Sequence, residues 1–134
     1  MQLYLIIILS LHVLAGVFWA GTTFGLARTG GTGAAQLFRP QMGAAAVAVL
    51  TGVYLWSQMV QRSLAPGEKL LAAGVLCAIL AAGLQGAIGG RAIRRLGGGA
   101  ADEAQNRSAI ALSQRIAAGL LSLTVISMVT SRYI

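Results

Sequence analysis

This 134-residue chain has one histidine, His12, and it stands inside an uncharged stretch. Its flanks, Leu3 to Leu9 and Val13 to Leu26, hold no charged residue. An ionisable side chain in so apolar a span is a functional-site candidate by default. The chemistry that an imidazole offers there is metal ligation, above all as axial ligand of haem iron. Gly16 follows one helical turn on, leaving space for a flat ligand against the backbone, and Trp19 shares that face. The competing role is structural, a buried histidine hydrogen-bonded to a neighbouring helix.

Other residues share that depth. Counting inward from the outer ends of the apolar runs puts Tyr54, Cys77 and Thr124 level with His12. Tyr54 or Thr124 would serve one ring nitrogen as hydrogen-bond partner, as a backbone carbonyl would. Cys77 is the only cysteine, so it forms no internal disulfide, and it suits a small buried hydrophobe. Met59 and Met128 lie nearer the outer surface. Their thioethers suit haem iron or Cu(I), or simply the filling of packing gaps.

Arg91, Arg94 and Arg95, with Arg107 and Arg115 opposite, form a basic collar. Such a collar sets topology and attracts anionic lipid headgroups. As a clamp on porphyrin propionates, Arg115 is best placed, because apolar residues follow it directly. Gln85, inside an apolar run, suits an interhelical hydrogen bond. No acid lies within a run, no Cys/His metal spacing occurs, and no glycine-rich loop follows a strand. The sequence therefore offers no catalytic constellation, no carboxylate relay and no nucleotide site.

The elements that carry these residues follow from composition. The chain is 57% hydrophobic and 10% charged, against about 25% charged in ordinary soluble domains. So few charges cannot cover a water-facing surface, and the solvent is mostly lipid. The net charge of +7 does not point to nucleic acid, because the basic residues sit at the ends of apolar runs. Those runs are Leu3 to Ala27, roughly Pro40 to Met59, roughly Leu70 to Gly90, and Ile116 to Thr130. A bilayer core of about 30 Å needs about 20 apolar residues. The first three runs meet that alone. The fourth gains length from a polar section, Ala104 to Gln114, standing out of the membrane behind Asp102 and Glu103, acids that suit a helix N-terminus. Run one has no basic leader and continues to Ala27 without a convincing small-x-small cleavage site, so it reads as a retained helix.

Gly30 to Gly33, Pro66-Gly67 and Gly97 to Gly99 separate the runs with turn chemistry. The expectation is one all-α domain over residues 1–134, an integral-membrane up-down four-helix bundle. Its helices run about 3–28, 38–62, 67–96 and 103–132. Small residues at four-residue spacing would let the backbones approach closely. The third helix carries Gly74, Ala78, Ala82, Gly86 and Gly90; the second carries Ala44, Ala48 and Gly52; the first carries Gly16 with Ala20, and Gly21 with Gly25. These faces would pack within the bundle or against another protomer.

The stretch Leu11-His12-Val13-Leu14-Ala15-Gly16-Val17-Phe18-Trp19-Ala20-Gly21 resembles the first helix of two related bacterial membrane groups, the copper-resistance D family and the HemJ-type protoporphyrinogen oxidases. Both open with a leucine-histidine pair followed by a tryptophan near a glycine. The resemblance implies a small four-helix protein of a bacterial inner membrane, with haem associated with the position of His12. The leading expectation is therefore a haem-binding or redox-associated membrane protein, with haem b on His12. Its site would comprise Gly16, Trp19, Tyr54, Thr124 and Arg115 as further cofactor contacts. Two alternatives stand beside it: a non-catalytic subunit packing on a larger membrane complex, and a copper-handling protein. Expected partners are membrane lipid and either further copies of the chain or a larger complex, with no nucleic acid.

Orientation follows the basic residues. Arg28, Arg39, Arg91, Arg94, Arg95, Arg107 and Arg115 lie around the first and third loops, while Arg62, Lys69 and Arg132 lie on the other side. Under the positive-inside rule, both termini are outside and the glycine-rich loops are inside. A reporter fused to the C-terminus should register the outer side and one in the third loop the cytoplasm. A cytoplasmic C-terminus refutes the assignment.

Overall fold

The computed structural model describes residues 2–59, 66–96 and 100–134. The Gly97 to Gly99 tract and Arg62 lie outside the described residues, as do the side chains of Met59 and Asp102. Every described element is helical. Helix α1 spans Gln2–Arg28, α2 Ala34–Met59 and α3 Pro66–Leu84. A π-helical turn, Gln85–Gly89, continues α3 into the short α4, Gly90–Arg94, as one rod, and α5 spans Ala100–Ser131. The rods Gln2–Arg28, Pro66–Arg94 and Glu103–Ser131 are long and apolar enough to cross a membrane. Among the described residues α2 does not reach that mark; Arg39, Pro40 and Gln41 near one end and Ser57 and Gln58 near the other dilute it.

The sequence reading starts the second helix near residue 38; the structure starts it at Ala34. Gly30, Gly31 and Gly33 have positive φ (69°, 88° and 84°), so the chain reverses within the glycine tract itself. The Gly33 carbonyl then accepts from the N–H groups of Gln36 and Leu37 and opens the helix. Pro40 sits inside α2 with no N–H to offer the preceding turn. The helix holds across it because Ala34 is buried with Leu26, Ala92 and Ile110 in a cluster that ties this end of the bundle together. At the end of α4, the Asn106 amide donates to the Arg95 carbonyl at 3.2 Å and helps close the turn.

Consecutive rods run antiparallel. His12 meets Ala48 and Thr23 meets Gln41 between α1 and α2. Gly67 lies against Ser131, and Gly74 against Ser127, between α3 and α5. Gly90 lies against Phe38, and α1 also packs on α5. The result is an up-down-up-down bundle. Its main core is Trp19 and Leu121 among alanines at 45, 48, 78, 81 and 117. Alanine at the interfaces brings the backbones close, which is how helices gain contact energy where burial from water supplies none. The long apolar side chains Leu3, Leu14, Val17, Leu50, Leu76 and Leu80 face outward, as lipid-facing positions do.

The small-residue ladder of the third rod packs inside the bundle, unevenly. A Cβ on Gly74 would lie 2.9 Å from Ser127 Cβ, and one on Gly90 2.8 Å from Phe38 Cζ. Gly86 and Ala82 are looser: a Cβ on Gly86 would meet only Met42 Sδ, at 3.7 Å, and Ala82 is half-buried. Within the section Ala104 to Gln114, Ile110, Ser113 and Gln114 are buried against the other helices.

Gly74→Leu must push α3 off α5 and should lower stability by about 1–3 kcal/mol, the usual cost of overpacking. Gly83→Leu, whose Cβ would meet nothing within 4 Å, should stay within about 0.5 kcal/mol of the parent. Thermal unfolding of both variants in one detergent checks the pair; equal melting would mean that the α3–α5 approach is not close.

Candidate functional site

Two polar centres lie within the bundle, and Trp19 belongs to both. The first is a knot of amides toward the arginine-rich end. Thr23, Gln41 and Gln85 are each 0% exposed and Gln114 only 2%. The Trp19 indole N–H donates to Gln85 Oε1 at 2.6 Å. Gln85 Nε2 donates to Thr23 Oγ1 at 2.8 Å and to Gln114 Oε1 at 3.0 Å. Gln41 Nε2 donates to Gln114 Oε1 at 3.2 Å and to Thr23 Oγ1 at 3.1 Å, and Gln114 Nε2 returns a bond to Gln41 Oε1 at 3.3 Å. The Thr23 hydroxyl itself donates to the Trp19 carbonyl, one turn back on α1. All four rods contribute, and the amide oxygens are all taken. Gln85 is thus the interhelical hydrogen-bonding residue that its place in the sequence suggests; Gln41 and Gln114 escape that reading because each sits at the edge of an apolar run.

The π turn supplies Gln85. The Gly90 N–H reaches the Gln85 carbonyl, five residues back. A π turn inserts one residue into the helical register, and such turns cluster at functional sites. The widened turn lies next to the close approaches at Gly89 and Gly90, where a Cβ would meet Ser113 Oγ at 3.4 Å and Phe38 respectively.

The second centre is a partly open cavity of about 490 Å³ on the other side of Trp19. Helix α1 contributes His12, Gly16 and Trp19, α2 Gly52, α3 Val75, and α5 Thr124 and Met128. The rest of its wall is valine, alanine and leucine. His12 is half-buried, and its ring rests on Gly52, where a Cβ would lie 2.9 Å from His12 Cε1. The glycine that reads as one rung of a packing ladder is the seat of the imidazole. His12 Nδ1 lies 2.8 Å from the Ala48 carbonyl and 3.1 Å from Thr51 Oγ1. A carbonyl only accepts, so Nδ1 carries the hydrogen and donates. The Thr51 hydroxyl gives its own hydrogen to the Val47 carbonyl at 2.6 Å. In the neutral ring, Nε2 then holds the lone pair, and among the described residues it has no hydrogen-bond partner. Gly16 leaves open space beside it, since a Cβ there would meet nothing within 4 Å.

Of the residues expected around His12, Gly16, Trp19 and Thr124 line this cavity. Neither Tyr54 nor Thr124 is the hydrogen-bond partner of His12, however. Tyr54 stands edge-on to Tyr4, with ring centroids 6.0 Å apart. Thr124 donates to the carbonyls of Gly74 and Leu120. The true partners, Ala48 and Thr51, sit a turn further along α2, because the helix is set by the packing of Ala34 and the seat at Gly52 rather than by counting from its end. Arg115 is exposed on α5 and does not line the cavity. Cys77 is half-buried outside it. Among the described residues, no group of three or more His, Cys, Asp or Glu side chains comes together to hold a metal ion. Any metal here would have to be carried by His12 with softer or non-protein ligands.

Gln85→Leu should cost about 1–3 kcal/mol of stability, because it leaves the Trp19 N–H unpaired in a dry interior. The same substitution in a Trp19→Phe background should cost less, and a double-mutant cycle on melting in detergent measures the difference. Equal cost in both backgrounds would mean that the Trp19–Gln85 bond carries no energy.

No family model matches this chain, and no curated protein or solved structure is significantly similar to it.

Proposed function

We propose that this chain is a multi-pass protein of a bacterial cytoplasmic membrane, with both termini outside, that binds haem b in the cavity between its helices. His12 Nε2 is the axial ligand. The observation that carries this reading is the division of labour on the imidazole: Nδ1–H is committed to the Ala48 carbonyl, while Nε2 is left with a lone pair in an apolar cavity. Metal-ligating histidines are held in that way, the second nitrogen fixing tautomer and ring orientation. The cavity volume of about 490 Å³ falls within the range of about 300–1,000 Å³ common for small-molecule sites. Gly16 provides clearance beside the ring, and the apolar wall suits a porphyrin face.

The lining holds no cation for the propionates. Neither Arg115 nor Arg132 is among the residues that line the cavity. When bound, haem would supply one-electron redox chemistry. The chain's own residues would orient the imidazole through Ala48 and Thr51, shield the site with valine and leucine, and fix its inner wall through the Trp19–Gln85 bond.

A second reading, an accessory subunit that packs on a partner through small-residue faces, is favoured by one observation. Gly21 and Gly25 on α1 and Gly119 on α5 make no close contact in the bundle; a Cβ on any of them would meet nothing within 4 Å.

Protein produced with ample haem and gently solubilised should show a Soret band. His12→Ala should abolish it while expression and helix content stay near those of the parent. No Soret band in the parent overturns the haem reading in favour of the accessory one. A band that survives His12→Ala overturns the ligand assignment.

A further inference from the structure

We infer that a second cavity, beside the glycine tract at the arginine-rich end of the bundle, holds the phosphate of an anionic phospholipid against Arg107. The site is separate from His12 and does not depend on the haem reading. It is a partly open space of about 480 Å³, lined by the tract 30–36 together with Leu96, Arg107 and Ile110. That volume lies within the range of about 300–1,000 Å³ common for small-molecule sites. Packing brings its walls together. Gly31 comes so close to α5 that a Cβ there would stand 3.0 Å from Ile110 Cγ2. Arg107 precedes Ile110 by one helical turn, so both share one face of α5 and border the tract together.

The lining suits an anion. Among the described residues that line the cavity, Arg107 alone is charged; Glu103, one turn back on α5, is not part of the wall. The N–H groups of Gly30, Thr32, Gly33 and Ala35 make no bond to a backbone carbonyl among the described residues. Gly30, Gly31 and Gly33 have positive φ, and N–H groups in such turns form concavities that take anions. The Arg107 guanidinium adds a full positive charge and a fork of donors matched to phosphate oxygens. Position favours a lipid over a free phosphate. The tract joins α1 to α2 at the limit of an apolar rod, Gln2–Arg28, which is headgroup depth. Basic pockets between membrane helices take anionic headgroups in this way. Leu96 and Ile110 offer an apolar flank to the glycerol and the first chain carbons, which a free phosphate would leave unused. Arg91, Arg94 and Arg95 of the collar line no part of this cavity, so they attract lipid only as diffuse charge.

The experiment uses the full chain in a neutral detergent and counts retained lipid by native mass spectrometry. Dioleoylphosphatidylglycerol, dioleoylphosphatidylcholine and inorganic phosphate are the probes, in separate arms. The parent should retain one phosphatidylglycerol and no discrete phosphatidylcholine. Arg107→Gln should weaken that retention about tenfold, the worth of one hydrogen bond to a charged group. Arg107 is exposed, so helix content should hold. Arg94→Gln removes the same charge from the collar, outside the cavity, and should change retention by less than about twofold, as a screened exposed charge does. Equal weakening by the two substitutions would mean that the basic end acts only as diffuse charge, and the inference falls. It falls equally if the parent retains no lipid, or retains phosphatidylcholine as well as phosphatidylglycerol. If inorganic phosphate displaces the lipid at equal phosphorus concentration, the occupant is a free phosphate compound and the lipid assignment is overturned.

Discussion

Inside this bundle a polar side chain has no water to turn to, and that constraint governs its centre. Three glutamines from three rods and a threonine and tryptophan from the fourth satisfy one another completely at Gln41, Gln85, Gln114, Thr23 and Trp19. Single interhelical hydrogen bonds in membranes are worth little, averaging about 0.6 kcal/mol. Leaving one buried partner alone costs about 1–3 kcal/mol. The asymmetry makes the knot a device for register more than for stability. Sliding any rod by one residue would strand several amides at once, whereas the alanine core would tolerate the slip with modest loss. The π turn belongs to the same device. It re-aims Gln85 at Trp19 and Thr23 within a rod whose Gly90, one turn on, lets Phe38 approach closely.

The register fixed at the knot decides what lies on the far side of Trp19. With Thr23 set against Gln41, α1 and α2 run antiparallel so that His12 arrives beside Ala48, Thr51 and Gly52. One end of the bundle is thus chemically closed, with every acceptor paired. The other end holds His12 Nε2 without a protein partner and, among the described residues, the buried Trp56 indole N–H with none either.

Much of this was legible in the sequence, for identifiable reasons. Run length and turn residues locate four antiparallel rods, because a long apolar run shielded from water pairs its backbone groups within one helix. His12 stands out because a lone ionisable residue in an uncharged span is conspicuous. Gln85 stands out for the same reason. Gln41 and Gln114 do not, because each lies beside a charged residue, Arg39 across Pro40 for the one and Arg115 for the other, and reads as a flank. Nor does the pairing of His12 with Ala48 and Thr51. Depth counted from loop ends carries an error of a turn, and a turn is enough to substitute Tyr54 for Thr51. Backbone carbonyls, moreover, leave no trace in side-chain types. The early start of α2 escapes for a related reason: Pro40 marks a helix beginning locally, and the burial of Ala34 overrides it.

The cavity of about 490 Å³ is partly open, with Val17, Val125 and Val129 at its exposed rim, so a lipid tail would fill it. A tail offers no hydrogen bond to His12 Nε2, however, which has no protein partner among the described residues. Under the haem reading, an electron-pair acceptor with a wide apolar body would occupy the cavity and bond to Nε2. The Ala48 carbonyl holds the proton on Nδ1, the nitrogen that faces α2.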